Sequence, residues 1–160
     1  MDADVIIIGT GAGGGTLARA LAPSGLKLLL IERGDFLPRE KDNWRAVAVF
    51  GQHRYHNAEP WIDREGTPFR PVTGYHVGGN TKLYGAAVLR RRESDFGSVQ
   101  HAAGRTIAWP ISYTDLAPFY DTAEKWYFAH GLRGEDPTEP PGGAFPNPPV
   151  SHEPAIEGVF

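Results

Sequence analysis

The sequence predicts an α/β protein that begins with a parallel βαβ unit. Two apolar runs, Val5–Ile8 and Leu26–Ile31, lack polar alternation, and a glycine-rich segment with apolar residues at helical spacing lies between them. Such runs are typical of parallel strands covered on both faces, and parallel strands need a crossover connection, usually a helix. The order β, α, β therefore follows from the pattern.

The helix between these strands is predicted to be short and tightly packed. Its apolar positions follow Gly15 at helical spacing and are Leu17, Ala18, Leu21 and Ala22. Proline, serine and glycine at residues 23–25 supply the stop, because proline cannot continue a helix and glycine adopts the left-handed conformation that ends one.

Beyond the second strand the periodicity is weaker. Residues 34–71 show no sustained period, although residues 41–49 are compatible with a short helix. A second glycine turn opens at Val77, and Asn80 is a suitable cap for a helix predicted over Leu83–Val88.

The second half contains one well-marked helix, which Pro118 is expected to open and Gly131 to end. Residues 137–149, rich in proline and glycine, are predicted to form a long connection. The predicted face of the helix comprises Phe119, Tyr120, Ala123, Trp126, Tyr127 and His130.

Composition narrows the classes of function. The 160 residues carry a net charge of -3, so there is no basic field to bind a nucleic acid or an anionic membrane. The basic run Arg90–Arg92 is interpreted as a solvated or ion-paired surface, with a role beside an anion left open. The sequence has no cysteine, which excludes disulfides, thiolate metal ligands and a thiol nucleophile.

The location is predicted to be cytoplasmic and the protein soluble. No apolar run approaches the roughly 20 residues that span a bilayer. The first strand starts at Val5, which leaves no space before it for a signal peptide.

The segment after the first strand matches the G-x-G-x-x-G pattern of dinucleotide-binding turns. Backbone N–H groups at a helix N-terminus bind phosphates there only where no side chain intervenes. In this pattern the first glycine makes the turn, the second allows close approach of the phosphates, and the third packs helix against strand. The candidate cofactor-binding residues of the turn are Gly9, Gly11, Ala12, Gly13 and Gly14.

Glu32 ends the second strand 21 residues after Gly11, near the spacing of about 20 that such sites show. Its carboxylate can accept hydrogen bonds from ribose hydroxyls and would repel a 2′-phosphate, which favours FAD or NAD over NADP. Arg33 is a further candidate because it could pair with a 2′-phosphate, although we prefer an orientation towards solvent or Glu32.

The histidines do not indicate a metal site. His53 and His56 are three residues apart but have no acidic or cysteine partner at ligand spacing. His76 borders the second glycine turn, where approach to a cofactor is open and a structural or surface role is preferred.

Three tracts together resemble the glucose-methanol-choline (GMC) family of flavin alcohol oxidoreductases. They occur in the family's order and cover most of residues 4–131: VIIIGTGAGGGTLARALAPSGLKLLLIERG, VGGNTKLYGAAVLRRRESDF and WPISYTDLAPFYDTAEKWY. The resemblance implies an α/β fold with a Rossmann-like FAD/NAD(P)-binding βαβ domain, followed by the start of an incomplete substrate domain.

The resemblance further implies FAD as the cofactor, with the first glycine turn and Glu32 on its ADP half. Leu83 stands where some sugar-oxidising relatives carry the histidine that attaches the flavin, so the FAD is expected to be non-covalent. The plain-loop alternative stays open for the second glycine turn. Its candidate residues along the pyrophosphate and isoalloxazine are Gly78, Gly79, Asn80 and Thr81.

The family's reaction is similar to a hydride transfer from a CH–OH group to the flavin, with a histidine as general base. That histidine belongs to a C-terminal segment that this sequence does not contain, so no catalytic residue is assigned. Residues 1–110 are expected to form the FAD-binding domain and residues 111–160 the beginning of a truncated substrate domain. The implied partners are a small-molecule alcohol or sugar and the missing C-terminal half or a complementing subunit, without which the chain is expected to be inactive.

Two alternatives stay open. An NAD-dependent dehydrogenase or another two-domain flavoprotein could use the same βαβ opening. A non-catalytic nucleotide-binding remnant or subunit would keep the site without the chemistry.

Overall fold

A computed structural model of the protein describes residues 2–83 and 87–154. The chain divides into two compact units, Met1–Ala86 and Ala87–Phe160. The domain boundary expected after residue 110 falls within the second unit, and the assignment of domains stays a prediction.

The first unit opens with the predicted βαβ order. Strand β1 spans Val5–Ile8, helix α1 spans Ala12–Leu21 and strand β2 spans Leu28–Ile31. The two strands pair in parallel, with Val5 opposite Leu28. Two parallel strands joined through a helix are therefore confirmed.

The ends of these elements differ from the prediction. Helix α1 begins at Ala12 and not after Gly15, because Ala12, Gly13 and Gly14 of the glycine turn are themselves helical. It is not tightly packed, since none of its residues is buried. The predicted stop is confirmed: a 3-10 turn over Ala22–Ser24 leads to Gly25 at φ 77°. Strand β2 starts at Leu28, two residues later than predicted.

The two-stranded sheet is not covered on both faces. Ile7 is the buried residue of β1, whereas Ile8 is 85% exposed. The one α-helix between β1 and β2 is α1, which is short and cannot cover both faces of the sheet.

The rest of the first unit consists of short elements. In place of one helix at residues 41–49 there are a 3-10 helix, Lys41–Trp44, and a π-helix, Val47–Gly51. The π-helix buries Ala48 and Val49. The antiparallel strands β3, Trp61–Ile62, and β4, Pro68–Phe69, form a hairpin that the sequence pattern did not indicate.

The second glycine turn is brought towards β2 by a parallel bridge between Asp35 and His76. The turn leads into a 3-10 helix, Gly79–Lys82, so Asn80 lies inside a helical turn and does not cap the helix that was predicted over Leu83–Val88. Residues 84–86 of that predicted helix lie outside the described residues, and Leu83, Ala87 and Val88 are not helical.

The second unit contains a 3-10 helix, an antiparallel hairpin and one long helix. The 3-10 helix spans Glu93–Phe96. Strands β5, Gln100–His101, and β6, Gly104–Arg105, form the hairpin, which the sequence pattern also missed. Helix α2 spans Tyr113–Trp126.

Helix α2 starts five residues before the expected Pro118. Ser112 caps it, accepting a hydrogen bond from the Asp115 N–H at 3.3 Å while Asp115 accepts from the Ser112 N–H at 2.8 Å. Such a capping box satisfies two backbone donors that the helix leaves unpaired. Pro118 therefore lies inside the helix and not in its first turn.

The buried side of α2 also differs from the predicted face. Tyr113 and Glu124 are buried, Phe119 is 68% exposed, and His130 lies beyond the end of the helix. Residues 137–149 contain no helix, and their one strand-like pairing is a bridge from Asn147 to His130, so the predicted long connection is confirmed.

No helix in the described part of the chain is long and apolar enough to cross a membrane.

Candidate functional site

The first glycine turn leaves the start of α1 without side-chain caps. Gly9 has φ 88°, and its N–H donates to the Ile31 carbonyl at 2.7 Å, which joins the end of β1 to the end of β2. Gly11 is the N-cap residue of α1 and has no side chain to bind the first N–H groups, and the first turn contains no acidic residue. The first N–H groups of any α-helix extend beyond its internal hydrogen-bond ladder, and the helix dipole makes this end attractive to an anion.

Of Gly11, Gly13 and Gly14, packing requires glycine only at Gly14. A Cβ atom added at Gly14 would lie 1.9 Å from the Gly9 carbonyl oxygen, a distance that backbone atoms do not tolerate. A Cβ at Gly13 would meet nothing within 4 Å, and one at Gly11 would lie 4.0 Å from the Gly78 carbonyl oxygen. Gly14 therefore has the predicted packing role, whereas the chain's own packing does not require glycine at Gly11 or Gly13.

The Glu32 carboxylate lies beside this turn and accepts four hydrogen bonds. Its Oε2 accepts from the Thr10 hydroxyl at 2.7 Å and the Thr10 N–H at 2.9 Å. Its Oε1 accepts from the N–H groups of Arg33 at 2.8 Å and Gly34 at 3.2 Å. The hydrogen bonds from Thr10 lower the pKa of Glu32 most, from 4.5 to about 2. Glu32 is therefore ionised at neutral pH and is held by neutral donors.

Arg33 points to another carboxylate. Its Nη2 lies 2.8 Å from Glu59 Oε2, and its guanidinium lies 3.8 Å from the centre of the Tyr75 ring. The Tyr75 hydroxyl donates to the same Glu59 oxygen at 2.9 Å. The guanidinium thus contacts both an acidic side chain and an aromatic ring, and the Arg33 side chain is 60% exposed.

The second glycine turn packs against the first. A Cβ added at Gly79 would lie 3.2 Å from the Gly11 Cα. The Gly78 N–H donates to the Thr10 hydroxyl oxygen at 2.9 Å, and the Gly79 N–H donates to the His76 carbonyl at 2.7 Å. The structure therefore brings the two predicted turns together and uses the N–H groups of both glycines inside the protein.

Asn80 and Thr81 stabilise the shape of this second turn. The Asn80 side-chain oxygen accepts from the Gly74 N–H at 2.8 Å. The Thr81 hydroxyl donates to the Gly78 carbonyl. Both side chains are thus engaged by the backbone around them.

A small cavity adjoins the second turn in the same unit. Its volume is about 220 Å³, and His76 lies in its wall with Nε2 3.1 Å from the Tyr55 carbonyl oxygen, the kind of contact that a structural histidine makes. Burial, followed by the nearby His53, lowers the pKa of His56. The lining residues are Phe50, Tyr55, His56, Val72, Gly74, His76, Gly79, Asn80 and Leu83.

Sequence reasoning missed Thr10, which contacts both Glu32 and the second turn. Thr10 occupies the variable position of G-x-G, where the pattern accepts any residue. The one signal in the sequence is that threonine has a hydroxyl group that can form hydrogen bonds. Among the described residues, no group of three or more His, Cys, Asp and Glu side chains could hold a metal ion.

The second unit contains a buried ionic cluster that was interpreted as surface. Arg90 donates to Glu124 at 2.7 Å and to Asp121 at 2.5 Å, and its side chain is only 2% exposed. Arg133 donates to the same Glu124 carboxylate at 3.0 Å. The ion pairing predicted for the basic run is therefore present at Arg90, but that residue is buried and not solvated.

Comparisons with known proteins find dehydrogenases and oxidases among the relatives of this chain. The chain is 34% identical over 158 residues to 2-methyl-1,2-propanediol dehydrogenase of Mycolicibacterium austroafricanum, an alignment that covers 92% of this chain and 28% of the relative. It is 36% identical over 154 residues to paromamine 6'-oxidase of Streptomyces fradiae, covering 88% of this chain and 27% of that protein. The chain thus spans less than a third of the length of these relatives.

A solved structure supports the fold. The crystal structure of pyridoxine 4-oxidase from Mesorbium loti matches with a TM-score of 0.56 at 23% identity, over 92% of this chain and 28% of that one. No protein-family model matches the chain.

Proposed function

The chain belongs to the glucose-methanol-choline oxidoreductase family, and we propose that it supplies the FAD-binding part of an oxidoreductase that acts on CH–OH donors. The names of its relatives, a diol dehydrogenase and an oxidase of paromamine, support an alcohol or a sugar as the class of substrate. The observation that carries the proposal is the uncapped start of α1 beside the ionised Glu32.

The proposed position of the ADP half follows from this geometry. Residues 11–14 would hold the pyrophosphate through the N–H groups at the start of α1, where no side-chain cap competes with it. Glu32 faces the ribose hydroxyls and disfavours a 2′-phosphate, because its low pKa keeps it charged. Arg33 is held by Glu59 and is not needed for this contact. The bound FAD would supply the hydride acceptor of the reaction.

The second glycine turn, Gly78–Thr81, is proposed to form a wall of the same site. Its closeness to Gly11 supports this placement. The Gly78 and Gly79 N–H groups already have acceptors, so its contribution is the shape of the wall more than a further set of phosphate donors. Leu83 has no nucleophilic atom, which supports non-covalent binding of the flavin.

The first test is retention of flavin. The protein is incubated with FAD and desalted, and its visible absorption is compared with that of Gly11→Val and Gly15→Ala. Gly11 has an ordinary extended backbone, φ -64° and ψ -168°, so valine there should block the phosphates without straining the backbone of residue 11. Gly15→Ala is the control, because its Cβ would lie at an ordinary 3.6 Å from the Thr10 carbonyl oxygen.

We expect the wild type and Gly15→Ala to retain flavin and Gly11→Val to lose it. If all three proteins retain flavin equally, the flavin does not bind at this turn. Retention of NAD in place of FAD would replace the proposed cofactor.

A further inference from the structure

The Thr10 hydroxyl joins three segments that are far apart in the sequence. It donates to Glu32 Oε2 at 2.7 Å, and the same oxygen accepts from the Gly78 N–H at 2.9 Å. These contacts link the first glycine turn to the end of β2, 22 residues away, and to the second glycine turn, 68 residues away.

The Thr10 hydroxyl performs both tasks through a single atom. A hydroxyl group donates one hydrogen bond and accepts others, whereas a carboxylate only accepts and a methyl group does neither. The other three donors to Glu32 are backbone N–H groups, which no substitution except proline removes. Among the residues that the structure describes, Thr10 is therefore the one side chain that connects this carboxylate to the Gly78 N–H.

We propose that Thr10 is a positioning residue of the dinucleotide site, whose hydroxyl holds Glu32 and the second glycine turn in place against the first turn. The inference rests on the proposed function and adds that ribose recognition at Glu32 and the shape of the wall at Gly78 depend on one hydrogen-bonding atom. Thr10 acts through these two residues and need not contact the cofactor.

Loss of the hydroxyl would disturb both sides of the site. The Gly78 N–H would lose its acceptor, and an unpaired, partly buried donor typically costs about 1–3 kcal/mol, which corresponds to roughly 5- to 150-fold in an equilibrium constant. We expect the second turn to shift when this hydrogen bond is lost. Gly79 limits the shift, because it lies so close to the first turn that an added Cβ would be 3.2 Å from the Gly11 Cα. Glu32 would keep the three backbone N–H donors but lose the hydroxyl donor, whose hydrogen bond lowers its pKa most.

The experiment compares Thr10→Val with Thr10→Ser. Valine keeps the shape of threonine without the hydroxyl, and serine keeps the hydroxyl without the methyl group. FAD affinity is measured by quenching of flavin fluorescence, and exchange of the Gly78 amide proton is followed by NMR. We expect Thr10→Val to bind FAD about tenfold more weakly and to lose protection of the Gly78 amide. Thr10→Ser should stay within about threefold of the wild type and keep that protection.

A double-mutant cycle with Glu32→Gln separates positioning from a general loss of stability. If Thr10 acts through Glu32, the effects of Thr10→Val and Glu32→Gln on FAD affinity will be smaller together than the sum of the two alone. Additive effects, or a Thr10→Val variant that binds FAD as the wild type does, would overturn the inference while the proposed function stands.

Amide exchange in the wild type requires no variant and no cofactor. A Gly78 amide that exchanges as fast as an unprotected peptide would overturn the inference even if Thr10→Val does not fold. A wild type that protects this amide but does not retain FAD would instead count against the proposed function and leave the Thr10 link in place.

Discussion

Glu32 in the first unit and Glu124 in the second are both held as carboxylates with a lowered pKa, but by opposite means. Within the described residues, the donors to Glu32 are all neutral: the Thr10 hydroxyl and three backbone N–H groups. Burial acts to raise the pKa of Glu124, and the hydrogen bonds from Arg90 and Arg133 outweigh it. Neutral donors leave a negative charge that can act on a ligand, whereas two guanidinium groups neutralise the charge that they bind.

The difference supports Glu32 as the proposed binding group and Glu124 as a structural one. The Glu32 charge lies beside the positive end of α1, so the same region presents one group that repels phosphate and one that attracts it, as a dinucleotide with separate ribose and phosphate contacts requires. The Glu124 cluster pairs its charges internally. Its role is to hold helix α2 to the segment around Arg90.

The largest expected effect on stability comes from breaking the buried ionic cluster of the second unit with Arg90→Met. The substitution removes positive charge from beside the buried Glu124 and the half-exposed Asp121. Removing one partner of a buried ion pair typically costs about 3–5 kcal/mol. We expect the free energy of unfolding, measured by urea titration, to fall by about that amount. Arg91→Met is the matched control, because Arg91 is exposed and its replacement should change stability by less than about 0.5 kcal/mol.

Equal effects of the two substitutions would mean that the Arg90 cluster is solvated in solution. A fall for Arg90→Met that Glu124→Leu partly restores in the double variant would instead confirm that the cost comes from an uncompensated buried charge.

The same contrast explains what the sequence could predict. The glycine turn and Glu32 belong to one local motif with fixed spacing, so Gly14 and Glu32 could be identified from residue order alone. Arg90 could not, because its partner Glu124 is 34 residues away and only tertiary packing selects it over the neighbouring arginines. Helix α2 begins before the proline that is expected to open it, because the capping pair Ser112 and Asp115 sets its start and Pro118 is accommodated inside the helix.

The short hairpins escaped prediction for a different reason. Their strands have two residues each, which is too short for an alternating pattern to be recognised. Thr10 could not be singled out because its importance depends on Gly78, which the fold brings to it from 68 residues away.

A smaller loss of stability is expected when the pH is lowered and Glu32 becomes protonated. Its pKa is about 2 in the folded protein and 4.5 ordinarily, so the unfolded chain binds this proton more readily. The stabilisation from ionised Glu32 is therefore fully present above about pH 4.5 and is lost as the pH falls towards 2. Between pH 5 and pH 3 the wild type should lose about 1–2 kcal/mol more stability than Glu32→Gln, allowing for solvent screening.

Urea titrations of both proteins at the two pH values measure this difference. Asp121 and Glu124 also have lowered pKa values, but they contribute equally to both proteins and cancel in the comparison. Identical losses in the wild type and Glu32→Gln would show that Thr10 does not hold the Glu32 carboxylate in its charged form.

The smallest effect is expected from Arg33→Ala, which tests whether the charge of Glu32 is offset by its neighbour. The Arg33–Glu59 pair is 60% and 50% exposed, and exposed ion pairs contribute about 0–1 kcal/mol. We expect the free energy of unfolding to fall by less than about 1 kcal/mol and FAD affinity to stay within about threefold of the wild type. A larger loss of FAD affinity would place the guanidinium at the cofactor. Unchanged affinity would support Glu32 as the residue that distinguishes FAD from a 2′-phosphorylated dinucleotide, because its neutral donors leave its charge in place.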